Sequence, residues 1–415
     1  MHQPHELERL YVDFDSFFAS AEQHLQPHLR GRPMGVIPIR SEHTGLIAVS
    51  REAKALGVRR GTTVREARRI HPRMVFVTAR HDVYVRLHGE ILAAIETVLP
   101  VREVRSIDEM VCALAPAERA SALGVGRRVK DAIAARIGPT LTCSVGLGPN
   151  ELLAKIAAEL RKPDGLLAIR PDELPGPLLS LGLTDIPGIA RGNAARLERA
   201  GVATVEALWG LQPKEARRLW GNVEGERLWM ELHGYAMERP ATRRQMFGHG
   251  RVLPGSWRTL GGAYACARVL LAKAASRLRR EGFTTRALAL WLTDRDSAGW
   301  YGEERFRPTR DDPSLLTSLA RLFLHAEREY AGPGVRSVHV TLHDLVPTGE
   351  VEADLFGQTP EAKVKRRMED LSLIADRLNA RYRGRKLHWG PWAEIPGGYA
   401  GAKIAFNRIP DAEDF

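Results

Sequence analysis

Cysteine is scarce in this chain: only Cys112, Cys143 and Cys266 occur among 415 residues, an odd number at wide spacings. They build no disulfide framework and no CxxC zinc site, and they fit a reducing compartment. Apolar runs of about 18 residues are also missing, which excludes an ordinary membrane-spanning helix. The opening MHQPHELERL has neither the charged start nor the apolar stretch of a secretory signal, so the cytoplasm is the expected address. Internal repeats and low-complexity tracts are absent too. What is there is a composition 44% hydrophobic and 27% charged, that of a globular protein. The length calls for roughly two to four domains.

Charge is in excess and unevenly spread. The chain has a formal net charge of +11 and a sequence pI near 9.8. From Met1 to Thr242 there are 33 basic against 29 acidic residues, from Arg243 to Asp344 17 against 10, and from Leu345 to Phe415 11 of each. All but one of the basic residues in the middle segment are arginines, whose planar fork bonds phosphate bidentately. A basic segment within a near-neutral chain suggests a polyanionic partner, most often nucleic acid. Composition alone is equally compatible with a solvated arginine-rich surface.

The hydrophobic pattern starts as strand then helix, with LERLYVDFDSFF buried and ASAEQHLQP helical up to Pro27. PMGVIPI, TGLIAVS and MVFVTA are short apolar strands, and SREAKALGV and VREARRIHP are short helices ended at Gly57 and Pro72. VYVRLHGEILAAIETVL is a longer amphipathic helix, VREVRSIDEMVCAL a strand and turn, TLTCSVGLG a strand, and NELLAKIAAELRKP a helix capped by Asn150. This predicts an α+β core to about Ile169 with a small inserted lobe near residues 30–78. The pattern then turns helical from Pro171 to about Glu238. A sheet-and-helix unit follows, with strands TTRALALWLTD and VRSVHVTLHDL flanking the helix PSLLTSLARLFLHAEREYA.

Three segments carry chemistry. Asp13 and Asp15 lie on a β-prone run, as do Asp108 and Glu109, where an ionised carboxylate is costly without a neutralising partner. Brought together, Asp13, Asp108 and Glu109 would make a divalent-cation site; the competing reading has these acids capping turns or pairing with Arg102 and Arg105. SVGLGPNELLAKIAAELRKPDG leads a glycine-flanked turn into a helix that ends near Lys162, a combination that binds phosphate but is common. Lys155 reads as a surface lysine or a contact to nearby acids. DIPGIARGNAARLERAGVATVEAL is a helical hairpin whose turn at Pro187 and Gly188 can cradle a DNA phosphate.

In this order, these blocks resemble the Y-family DNA polymerases, the translesion group. DFDSFFASAEQ resembles the family's opening motif and SIDE its second acidic motif. TCSVGLGPNELLAKIAAELRKPDG resembles the third, the helical hairpin the thumb, and QMFGHGRVLP the beginning of the little finger. The resemblance covers most of the chain. It implies an α+β, multidomain, right-hand polymerase: palm at 1–29 and 79–169, short fingers at 30–78, and a helical thumb with helix-hairpin-helix at 170–239. A linker at 240–254, an α/β little finger at 255–346 and a C-terminal extension at 347–415 complete it.

The implied activity is low-fidelity DNA-directed DNA synthesis, adding dNTPs to a primer 3′-hydroxyl by a two-metal mechanism. The enzyme would act as a monomer on primer–template DNA, away from membranes. Asp13, Asp108 and Glu109 match the catalytic, metal-binding acids, with the Phe14 carbonyl as a further ligand to two Mg2+ ions, for which Mn2+ can substitute. Phe18 matches the steric gate against a ribose 2′-hydroxyl. Phe17 and Lys162 match triphosphate contacts, and Arg51 and Lys54 the cationic positions of the fingers. DNA contacts fall on Pro187, Gly188, Ile189, Ala190 and Arg191 in the thumb, and on Arg243, Arg244 and Arg251 at the little finger.

The chain also departs from the family's pattern. Arg51 and Lys54 stand where tyrosine and arginine are usual, so nucleotide affinity and fidelity do not transfer. Glu151 stands where a lysine or arginine is common, and Gly188-Ile189-Ala190 lacks the usual second glycine. EADLF at 352–356 resembles sliding-clamp peptides without their leading glutamine, which makes the clamp a candidate partner. Two other classes compete: a catalytically silent polymerase-like adaptor in damage tolerance, which the retained acids disfavour, and a basic DNA-binding protein whose acids only cap and pair.

Overall fold

The computed structural model describes residues 2–237, 243–294, 299–350, 359–382, 386–392 and 409. The clamp-like segment at 352–356 lies outside them. The chain divides into two compact units, Met1–Pro240 with Lys403–Ala412, and Ala241–Ala402 with Glu413–Phe415. No helix among the described residues is long and apolar enough to cross a membrane.

The strands of the first unit are β1 (Arg9–Phe14), β2 (Met34–Ile37), β3 (Ala48–Val49), β4 (Val75–Thr78), β5 (Val101–Val104), β6 (Glu109–Ala113), β7 (Cys143–Gly148) and β8 (Leu166–Ala168). Five of them form a sheet in the order β5-β6-β1-β7-β8. The apolar run LYVDF puts β1 at its centre, buried on both faces and antiparallel to β6 and β7. Leu10, Val12 and Phe14 join a core with residues of helices His81–Ile95 and Ala122–Arg136. Tyr11 points the other way and packs with Ala154 and Ala158 of helix Glu151–Leu160. Alternation therefore assigns Asp13 to the face of that last helix.

Two glycines let this helix sit close to the sheet. A Cβ on Gly146 would stand 2.0 Å from the Ala154 carbonyl oxygen, and one on Gly148 2.6 Å from the Ala154 nitrogen. The inserted lobe is a separate three-stranded sheet, β3-β2-β4, with helices Arg51–Ala55 and Val64–Ile70. Among the described residues from 171 to 237, four α-helices, Arg191–Arg199, Val205–Trp209, Pro213–Trp220 and Val223–Leu232, surround a core that includes Ile186, Ile189, Leu197 and Leu228.

The second unit holds β9 (Met246–Val252), β10 (Phe283–Thr293), β11 (Gly299–Thr309) and β12 (Ser337–Pro347), antiparallel in the order β11-β10-β12-β9. Leu288, Leu290, Leu292, Val338, Val340 and Leu342 form one core with helices Leu260–Arg280 and Asp312–Glu329. Three details differ from the sequence reading. The stretch 240–254, expected as a linker, contributes edge strand β9; its glycines and single buried aromatic, Phe247, hid the alternation. Strand β11 went unread because GWYGEERFRPT is a polar edge strand with little to bury. Within the expected C-terminal extension, helix Pro360–Arg381 is bonded to this unit through Arg279, Arg310 and Asp312.

Candidate active site

The antiparallel register sets Asp13 of β1 opposite Glu109 of β6 on one side and Ser144 of β7 on the other. Directly paired residues have Cα atoms about 5 Å apart. Asp108 precedes β6, and its carbonyl accepts from the Phe14 N–H at 3.0 Å, so the ends of both strands are stitched together. The backbone thus brings Asp13, Asp108 and Glu109 into one neighbourhood. Their side chains, however, are each held by a protein donor. Lys162 Nζ lies 2.7 Å from Asp13 Oδ2, Lys155 bonds Glu109, and Ser106 Oγ donates to Asp108 Oδ1 at 2.5 Å. Among the described residues no three acidic, histidine or cysteine side chains are gathered as metal ligands would be.

Electrostatics mark the same spot. Asp13 is only 4% exposed, and burial pushes its carboxyl well above the usual carboxylate range, against the opposing pull of Lys162. Burial also raises Asp108, aided by the charge on Glu109 and opposed by the Ser106 hydroxyl. Burial disfavours the charge on Lys162, but Asp13 and Glu159 outweigh it and raise its pKa. Carboxylates held at this cost are candidates for function. All-oxygen donors suit a hard divalent cation, and the two ammonium groups now supply the positive charge that such a cation would bring.

Asp15 has a different environment from Asp13. Its carboxylate accepts from Thr142 Oγ1, Ser144 Oγ and the Asp164 N–H at 2.9, 3.0 and 2.8 Å, which joins β1 to β7 and the loop after Lys162. Arg105 forms a bidentate pair with Glu151, both bonds 2.6 Å, and its own N–H bonds the Glu109 carbonyl at 2.9 Å. The pair ties the turn carrying Asp108 to the first residue of helix Glu151–Leu160. Glu151 thus engages an arginine of the chain itself.

Phe18 is half-buried and stacks on Tyr84, with ring centroids 4.5 Å apart and planes 15° apart. Tyr84 is anchored by its hydroxyl, which donates to Glu22 at 2.7 Å. Sequence reading missed Tyr84, and the only available signal was an aromatic residue inside an amphipathic helix. The Phe17 ring is 2% exposed and belongs to the core beside Phe14, Phe18 and Tyr84, so a triphosphate could meet only its backbone. Arg51 and Lys54 are exposed on helix Arg51–Ala55. Burial and the charge of Lys162 lower the Lys54 pKa, and Asp13 and Asp15 also act on it, so Lys54 lies within electrostatic reach of the acids.

In the helical segment, Gly188 adopts φ +97°, a conformation L side chains rarely take, and forms the turn before helix Arg191–Arg199. Pro187 is half-buried, and Gly188, Ala190 and Arg191 are exposed. Ile189 differs from the expectation: its side chain is core and its N–H bonds the Ile186 carbonyl. In the second unit Arg243 is exposed. Arg244 pairs with Glu281 at 2.7 Å and lies over the Phe247 ring, and Arg251 sits half-buried on β9.

Comparison with known proteins gives consistent matches. A family model described as the impB/mucB/samB family matches residues 12–159, and one for that family's C-terminal domain matches residues 244–355. DNA polymerase IV of Moorella thermoacetica is 34% identical over 389 residues, covering 91% of this chain and 94% of that protein. DNA polymerase IV of Pelotomaculum thermopropionicum is 31% identical over 383 residues, covering 90% and 92%. A solved chimeric Y-family DNA polymerase has a TM-score of 0.70 at 23% identity and covers 82% of this chain and 99% of its own. DinB from Sulfolobus solfataricus has a TM-score of 0.54 at 25% identity, covering 81% and 98%.

Proposed function

The chain belongs to the impB/mucB/samB family of Y-family DNA polymerases, and on that premise we propose which of its residues perform templated DNA synthesis. It is a DNA-directed DNA polymerase of the translesion class. Its substrates are primer–template DNA and a deoxynucleoside triphosphate.

Asp13, Asp108 and Glu109, with the Phe14 carbonyl, are the groups that would hold two Mg2+ ions, or Mn2+ in their place. Bound there, such ions acidify the primer 3′-hydroxyl and neutralise the triphosphate. The chain's own residues do the rest by positioning and charge. Lys162, Arg51 and Lys54 attract the triphosphate, together with the backbone of Phe17 at a helix start whose first N–H groups have no intrahelical acceptor. Phe18, braced by Tyr84, is the surface against which a ribose 2′-hydroxyl clashes. Arg105 and Glu151 keep the turn bearing Asp108 and Glu109 in register with the helix that carries Lys155.

The turn from Pro187 through Arg191 and the arginines Arg243, Arg244 and Arg251 grip the DNA backbone without reading sequence. Sliding-clamp binding through residues 352–356 and a monomeric state belong to the same proposal. The free, buried thiols of Cys112, Cys143 and Cys266 support an assignment to the reducing cytoplasm.

The observation that carries the site assignment is the register of buried Asp13 against Glu109, with Asp108 bonded to the next residue of β1. Replacing Asp108 and Glu109 with alanine should abolish primer extension while primer–template binding survives. Extension at the wild-type rate would refute the assignment. Loss of extension with the acids intact on a metal-replete primer–template would instead favour the silent-adaptor reading.

A further inference from the structure

The inserted lobe at residues 30–78 carries a charge that the activity leaves unexplained. Eleven of its residues are arginine or lysine and three are acidic, a net of +8 within 49 residues. This matches the little-finger segment in half the length, and without it residues 1–242 would be net acidic. Arg59, Arg65, Arg68, Arg69 and Arg73 are all exposed. The three acids are engaged locally: Glu42 meets Arg68 at 3.5 Å, Glu52 accepts from Gln23, and Glu66 caps its own helix through Thr63.

The placement is specific. Arg65 and Arg69 are four residues apart and Arg68 three from Arg65, so the three share one side of helix Val64–Ile70. Arg59 links this region to the nucleotide side of the lobe, because its guanidinium donates to the Lys54 carbonyl at 2.7 Å. Apolar groups are interspersed: Ile39, Leu56 and Ile70 are each at least 45% exposed, and the Arg68 guanidinium lies 5.3 Å over the Phe76 ring. A duplex hides its base faces and offers only phosphates. A single strand offers both, and arginines mixed with apolar and aromatic groups are the surface that receives it.

We infer that the outer side of this lobe binds single-stranded DNA, holding the still-uncopied template strand ahead of the nascent pair. The inference rests on the polymerase reading for the identity of that strand. Its physical content is a set of phosphate contacts made by Arg65, Arg68 and Arg69, none of which belongs to the catalytic or nucleotide-binding groups. Each phosphate contact to a single strand contributes about 0.7 to the slope of log affinity against log salt. Losing three should flatten that slope by about 2.

The test uses the full chain without dNTP or metal and compares two primer–templates. One has a single unpaired template nucleotide, the other an overhang of about fifteen, near the upper site size of single-strand binders. The variant is Arg65→Gln with Arg68→Gln and Arg69→Gln, since glutamine keeps helix propensity. Its affinity for the long overhang should fall at least about tenfold at low salt, with the flattened slope. Its affinity for the short overhang and its extension rate there should match the wild type. Lysine at all three positions should restore the slope.

An unchanged affinity for the long overhang, an equal loss on both substrates, or a lysine variant as weak as the glutamine one would each overturn the inference. Wild-type protein that binds neither primer–template would overturn the polymerase reading itself.

Discussion

Arg279 gives the sharpest stability prediction. Its side chain is 1% exposed at the last turn of helix Leu260–Arg280. Its five N–H donors make five bonds. Two go to Asp376 at 2.6 and 3.0 Å, two to Asp312 at 3.2 and 3.1 Å, and one to the Arg310 carbonyl at 2.7 Å. A guanidinium has no further donor to offer, so the site is fully satisfied. Deleting one partner of a buried ionic cluster leaves the others uncompensated and costs about 3–5 kcal/mol. Here two carboxylates would be left facing each other. For a unit of this size that equals a fall in Tm of roughly 6–20 °C. Arg279→Ala should show this in thermal unfolding of the full chain, and the amides of helix Pro360–Arg381 should lose hydrogen-exchange protection first. Arg279→Lys keeps the charge but loses the planar fork, and should fall between the two. A Tm within about 2 °C of wild type, with helix Pro360–Arg381 still protected, would refute the reasoning.

Phe18→Ala should raise ribonucleotide incorporation by at least about tenfold, equivalent to about 1.4 kcal/mol of lost discrimination; unchanged sugar selectivity in single-nucleotide insertion would remove Phe18 from that role. Asp13 is held above its unfolded pKa, so the folded chain keeps the proton to higher pH than the unfolded chain. Its contribution to stability is complete at low pH and is lost as pH rises through the folded value. Without metal, the wild type should therefore lose stability relative to Asp13→Asn between about pH 4 and about pH 8, and parallel profiles would contradict the buried-carboxylate argument. Gly146→Ala would drive a Cβ into the Ala154 carbonyl and push helix Glu151–Leu160 off the sheet, costing about 1–3 kcal/mol and lowering extension, as measured by urea unfolding and primer extension. A wild-type unfolding midpoint would show that the helix sits further from β7.

Much of the site was readable from residues alone because its signals are local. Strand alternation put Asp13 on one face with Phe14 on the other, and the burial of LYVDF follows directly from its composition. The same local reasoning failed where a role depends on a distant partner. Nothing in SREAK indicates that Lys54 lies within reach of Asp13 and Asp15, and nothing in the helix around Tyr84 indicates that it braces Phe18. The +8 of the lobe is likewise hidden in the net charge of residues 1–242, because the remainder of that stretch is acidic and offsets it. Strands β9 and β11 escaped for a related reason: edge strands bury little, so their sequences need not alternate strongly.

By itself, then, the sequence determined the kind of most buried elements, the identity of the acids and the family they mark. Each of these is written in neighbouring residues through periodicity, capping and spacing. Only the tertiary structure decided that Lys162 and Lys155 hold the acids, that Glu151 answers Arg105, and that Arg279 fastens the last helix to its unit. Those pairings reach across as many as about 150 residues, from Lys162 back to Asp13. They exist because low-dielectric burial makes an uncompensated charge expensive, so the fold must bring a partner from wherever the chain supplies one.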